Sequence, residues 1–311
     1  MDQRLPASYL ETMATLVLPL LDALARDLIR SKGAPEVDFT LPKGEAALVP
    51  ADSVSWRVFK NPVALFVGGV AAVILELAEP AVRTGVWEHS SFRTDPVRRL
   101  QRTGLAAMVT IYGAESVARA MITGVVRMHD KVRGTTPAGE AYRANDVGLL
   151  TWVQATAGWG FAEAYHRYAR PLDRSELDRL YAEGAPAARL YGAIDAPASE
   201  AELQALFASM HDRLEPSPIV FEFLAIMRTA PIFPAVLRPV QRLLIRAAIE
   251  MVPGWIRERL GLDPSAGLRP WQRPVVRAMG ALADKVMLRS SPAVQSCLRL
   301  GLPADYLYRR S

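Results

Sequence analysis

The sequence predicts an all-α fold, a single large helical domain, and three observations carry that prediction. Apolar residues recur at three- and four-residue intervals along most of the chain, while the strict alternation of half-buried strands is nearly absent. Half of the 311 residues are hydrophobic, ample material for one continuous core. Helix start and stop signals bracket the apolar stretches, and neither an internal repeat nor a Gly/Ser-rich linker divides them. The expected layout is an irregular or helical N-terminal segment over 1–50 and a helical domain over 51–311.

Taken in order, the N-terminus does not read as a signal peptide. Asp2 and Glu11 precede a short apolar run that Pro19 interrupts and Asp22 closes. The longest apolar run, PVALFVGGVAAVIL, covers Pro62 to Leu75, with Glu76 and Glu79 just beyond. A bilayer-spanning helix needs about twenty such residues. This one therefore reads as a buried core helix, and the protein as soluble and cytoplasmic. Asp95-Pro96 is a helix start, with Asp as N-cap and Pro in the first turn. That helix should stop at Gly113. A second then runs through ESVARAMITGVVRMHDKVR to Gly134. Asn145-Asp146 can cap the next helix, which ends before Pro171. Ser199 with Glu202 has capping-box spacing ahead of LQALFASMHDRL. From Pro216 onward, closely spaced prolines cut the pattern into short helices wrapped on the same core.

The charge is uneven. Between Arg228 and Arg289 eleven Arg or Lys face four Asp or Glu. They alternate with apolar residues, which fits the solvated face of amphipathic helices or peripheral docking on an anionic membrane. No nucleic-acid-binding module is present. The single cysteine, Cys297, excludes an internal disulfide framework and any zinc site built of several thiolates.

The stretch VVRMHDKVRG places His129 on the apolar stripe of its helix, with Ala118, Ile122 and Val125 before it and Val132 after. It is either a core histidine satisfied by hydrogen bonds or the axial ligand of a buried metal. No second His, Cys or carboxylate stands at ligand spacing, so a non-heme cage cannot form around it. One imidazole suffices for a heme, because the porphyrin supplies four donors. Arg99 and Thr103, four apart on the preceding helix, share a face. They form either a solvated first turn or a pair that orients oxygenated groups inside a cavity. A carboxylate-bridged diiron bundle needs two Glu-x-x-His pairs, and the chain has only Glu163 and His166. His89 and His211 read as surface or capping residues. Gly68-Gly69 allows close approach of another helix or of a flat cofactor. There is no nucleophile elbow, phosphate loop or dinucleotide fingerprint.

Three segments together resemble a known family: NPVALFVGGVAAVILELAEPAVRTGVWEHSSFRTDPVRRLQRT, the helix ending VVRMHDKVRG, and NDVGLLTWVQATAGWGFAEAYHRY with its continuation PLDRSELDRLYAE. The chain is similar to the oxygenases that include latex clearing protein (rubber oxygenase) and the prenyl-chain-cleaving oxygenase of mycophenolic acid biosynthesis, most closely over 60–190. The resemblance implies an all-α fold around a buried heme b. His129 would be its iron ligand and Arg99 and Thr103 the catalytic pair; Arg99, and Gly68 and Gly69 by their room for a flat ligand, are the further cofactor-contact candidates. It implies dioxygen-dependent cleavage or oxygenation of a hydrophobic, isoprenoid-like alkene. A heme- or lipid-binding protein without turnover is the alternative. The chain departs from the family pattern in three places. Gln154-Ala155-Thr156 stands where many members have His-Ala-Thr. The distal lysine of some latex clearing proteins has no counterpart, Lys60 lying at the wrong separation. The acidic pocket residue maps to Glu88 only with altered spacing.

Overall fold

The computed structural model describes residues 36–309 and Asp22. The N-terminal segment expected over 1–50 thus lies mostly outside the described residues. Thirteen α-helices follow one another within residues 36–309. They are α1 (Val54–Phe59), α2 (Pro62–Glu76), α3 (Pro80–His89), α4 (Pro96–Tyr112), α5 (Glu115–His129), α6 (Val147–Tyr168), α7 (Arg174–Tyr191), α8 (Glu200–Ser209), α9 (Pro218–Thr229), α10 (Arg238–Met251), α11 (Gly254–Arg259), α12 (Gln272–Ala283) and α13 (Pro292–Arg299). The fold is all-α. One antiparallel ribbon interrupts it, β1 (Arg133–Thr135) paired with β2 (Ala141–Arg143).

The helix starts follow the local chemistry of the sequence. Asn61 Oδ1 accepts the Val63 and Ala64 amides ahead of Pro62, and Asp146 Oδ1 accepts the Gly148 and Leu149 amides. Asp95 caps α4, which stops at Gly113. At α8 the Ser199 hydroxyl takes the Glu202 amide, while Glu202 reaches back to the Ala198 amide, one residue earlier than a capping box places it. One expectation fails. The helix carrying His129 ends at His129 and not at Gly134. Asn145 Nδ2 donates to the Val126 carbonyl and to Asp130 Oδ1, closing the helix there. The following residues turn into the ribbon.

Helix α2 is the centre of the molecule and packs along α6, with α10 and α12 against the same pair. Val67, Ile74 and Leu75 are fully buried, each stabilising the fold by about 1.5–3 kcal/mol. The crossing with α6 is backbone on backbone: a methyl group placed on Gly68 would come within 2.5 Å of the Gly160 carbonyl oxygen, and one on Gly160 within 2.5 Å of the Gly68 carbonyl oxygen. The large core built around this pair is separate from a second one. That second core joins Leu105, Met108, Val109 and Tyr112 of α4 to Ala118 of α5, Trp56 of α1 and Cys297 of α13. Helices α4 and α5 pack on each other, α4 leans on α1 and α13, and α5 leans on α7. Neither packs closely on α2 or α6. The α4–α5 layer therefore stands off from the central pair, held apart by α1 and α7.

Gly68→Ala is expected to cost about 1–3 kcal/mol through overpacking, read as a lower denaturant midpoint. A loss below about 0.5 kcal/mol, the range of a surface substitution, would contradict the close crossing.

Candidate functional site

Helical periodicity decides which side chains face the space between the two layers, called the slot below. On α2, Leu65, Gly69, Val73 and Glu76 share one face and keep accessible surface in a helix whose other residues are mostly buried. A methyl group on Gly69 would meet only the Phe161 ring, at 3.8 Å. On α6 the corresponding residues are Gln154, Ala157 and Phe161. From the opposite wall α4 presents Arg99, Thr103, Ala106 and Thr110, while its other face enters the second core. The Thr110 and Tyr191 hydroxyls are 3.0 Å apart where α7 closes that end.

Across this space Arg99 acts electrostatically on two other ionisable side chains, Glu76 and His129. Arg99 donates through Nη1 to Thr103 Oγ1, which in turn donates to the Arg99 carbonyl at 3.0 Å. Glu76 is enclosed by protein and has its carboxyl pushed up to about 7, because burial favours the neutral acid and nearby Arg99 only partly opposes it. Burial likewise lowers the Arg99 guanidinium, with Glu76 acting the other way. At His129 burial and then the Arg99 charge lower the imidazole pKa, against Asn145 and Asp130. A neutral imidazole is the form that binds metal.

His129 is half-buried; the Asn145 side chain interacts with its ring, yet its buried Nδ1 has no partner in hydrogen-bonding geometry. A histidine kept only for packing would satisfy that atom. Beyond the ring, a cleft of ≈ 880 Å³ opens between the ribbon and the start of α6. Tyr142 and Asn145 line it, and their Oη and Oδ1 atoms are also buried without partners.

The structure thus brings Arg99, Thr103 and His129 to one region, with Gly69 facing the slot. Gly68 serves the helix crossing instead. Thr103 is exposed, at the slot's rim. Glu88 is exposed and sits near the Tyr142 hydroxyl, whereas Glu76 is the carboxylate beside Arg99. Sequence reasoning passed over Glu76. Its signal was a carboxylate ending a fourteen-residue apolar run. Glu163 pairs with Arg167, and His166 Nδ1 accepts the Leu172 amide at 3.0 Å, so both halves of the Glu-x-x-His motif have structural work. No group of three His, Cys, Asp or Glu at metal-binding distance occurs among the described residues. Lys60 is buried in an ion pair with Asp284 at 3.2 Å, where Tyr165 Oη and Asn61 Nδ2 also bond. His89 and His211 are exposed.

The sequence profile of the ER-bound oxygenase mpaB/B′/rubber oxygenase catalytic domain matches residues 56–283. The chain belongs to this oxygenase family. The match takes in every residue of the slot named above. No curated protein and no solved structure matches the chain. Among the described residues no single helix is long and apolar enough to cross a membrane; α2 and α3 together pass on composition but meet at 111°, and α2 is buried in the core.

The Glu76 shift has a measurable sign. A carboxyl whose folded pKa lies above its ordinary 4.5 binds its proton more tightly in the folded state. Its stabilising contribution is complete below that value and is lost as pH rises through about 7. Glu76→Gln is expected to flatten the fall in melting temperature between those pH values. Parallel pH profiles for wild type and variant would show that Glu76 titrates normally.

Proposed function

We propose that the protein is a heme-dependent oxygenase of a hydrophobic, isoprenoid-like alkene, with His129 as the axial iron ligand. The observation that carries this reading is the buried Nδ1 of a half-buried histidine, without a partner in hydrogen-bonding geometry, beside two helix layers that do not pack closely on each other. The residues present suit a flat cofactor. Gly69 leaves room for a ring face. Arg99 can pair a propionate or a polarised oxygen. The apolar stripes of α2 and α6 can hold a porphyrin edge or an alkene. Heme bound there would supply the redox-active iron that dioxygen chemistry requires.

The chain's own residues have distinct tasks. Leu65, Val73, Ala157 and Phe161 exclude water and orient an apolar substrate. The Arg99 guanidinium, steadied by Thr103, presents N–H donors toward negative charge that develops on oxygen, an effect strengthened by the low dielectric of the slot. Glu76, neutral in part at neutral pH, can hold a proton on its carboxyl and release it to a group between α2 and α4. The buried cysteine fits action in a reducing cytoplasm. A second reading, a heme or lipid carrier without turnover, is favoured by Gln154, which faces the slot where many relatives have a histidine.

Two variants test the proposal. His129→Ala should abolish the Soret band that wild type gains on titration with ferric protoporphyrin IX, while circular dichroism stays unchanged. Arg99→Ala should retain the band but consume oxygen with a long isoprenoid alkene about 10²–10³-fold more slowly. An unchanged Soret band in His129→Ala would remove the assigned ligand. Heme binding without oxygen uptake in wild type would establish the carrier.

A further inference from the structure

Helix α12 lies on the far side of the central pair from the slot, and both of its faces are apolar. Its inner face carries Val276 and Gly280 into contact with α6, and a methyl group on Gly280 would fall within 2.1 Å of the Tyr168 carbonyl oxygen. The outer face carries Trp271, Val275, Ala278 and Leu282. At 100° per residue these four fall within a 60° arc pointing away from the core. Trp271 is 63 % exposed and Leu282 65 %. A solvated surface helix puts charged residues on this side, as α10 does with Arg242 exposed opposite its buried Leu244, Ile245 and Ile249.

Cations border the stripe. Lys285 flanks it on one edge, Arg277 stands about 100° round the helix from that edge, and Arg269 and Arg289 lie beyond its ends. All four are exposed, and none has a carboxylate partner among the described residues. By contrast Arg273, turned toward α10, is paired with Glu250 at 2.9 Å. No exposed carboxylate lies between Arg269 and Arg289: Asp284, the one acid there, is buried in its pair with Lys60.

We propose that the outer face of α12 docks on an anionic lipid bilayer, with Trp271, Val275 and Leu282 entering the headgroup boundary and Arg269, Arg277, Lys285 and Arg289 meeting anionic headgroups. Charge complementarity selects this occupant. A tryptophan within an apolar stripe and cations at its margin match the layered chemistry of a membrane surface. A second copy of the chain would instead set these cations against their own kind across a two-fold axis. The surface is separate from the slot, so docking does not depend on what the slot holds.

Vesicle co-sedimentation of the full chain tests the proposal, comparing phosphatidylcholine vesicles with vesicles containing phosphatidylserine. Binding should require phosphatidylserine and weaken in high salt. Arg277→Gln with Lys285→Gln should lower the partition coefficient by roughly 25-fold, about fivefold per charge. Leu282→Ser should weaken it too, without changing the melting temperature. Arg189→Glu on α7 should leave it unchanged. Equal binding to both vesicle types, or no response to the α12 variants, would overturn the proposal. So would a dimer in sedimentation velocity that Leu282→Asp dissociates while no vesicle binding is seen, because a second copy would then be the occupant.

Discussion

The contact of Gly68 with Gly160 is the constraint on which the rest of the structure depends. With no side chain on either residue, α2 and α6 approach until backbone meets backbone, which any larger residue forbids. Two helices locked at this distance form a stiff central wall. Everything else is placed relative to it: α10 and α12 cover one side, while α1 and α7 act as end pieces that keep α4 and α5 away from the other. The slot is thus a product of packing, one very tight interface beside a spanned gap. Rigid walls matter for any flat cofactor, because a soft gap would collapse onto itself.

The polar groups of the slot form one electrostatic unit. Arg99 is its hub, close enough to influence both Glu76 and His129. Enclosure drives Glu76 toward its neutral acid and His129 toward its neutral base, so the guanidinium stays the principal fixed charge. A partly buried cation next to an acid that can lose a proton and an imidazole with an unpartnered nitrogen is costly to take out of water. The arrangement makes physical sense for a site that receives negative charge, whether from a carboxylate-bearing cofactor or from oxygen during turnover. The Thr103 hydroxyl keeps the guanidinium aimed along α4.

Much of this was legible in the sequence, and the boundary of legibility is physical. Asp95, Asn61 and Asp146 announce their helices because caps act over three residues, and the Arg99–Thr103 pair follows from i, i+4 geometry alone. His129 was marked by its place on an apolar stripe. Its helix ends sooner than the glycine at 134 suggested, because the stop comes from Asn145, sixteen residues further along the chain. Glu76 was hidden for a similar reason: its partner lies on another helix, and only the tertiary crossing sets the distance. Gly68 and Gly69 read alike as neighbours, yet they point a third of a turn apart, one into α6 and the other toward the slot. The outward stripe of α12 was masked because one-dimensional periodicity shows an apolar face without showing which face the core takes.

The central claim is that the gap between the α2–α6 wall and the α4–α5 layer holds a porphyrin through His129. A crystal structure of the full chain reconstituted with ferric protoporphyrin IX tests it most directly. The account predicts the porphyrin bound between those walls, with its iron held by the His129 imidazole and Arg99 within hydrogen-bonding reach of the bound group. A porphyrin bound outside the slot, or iron ligated by any residue other than His129, would contradict it.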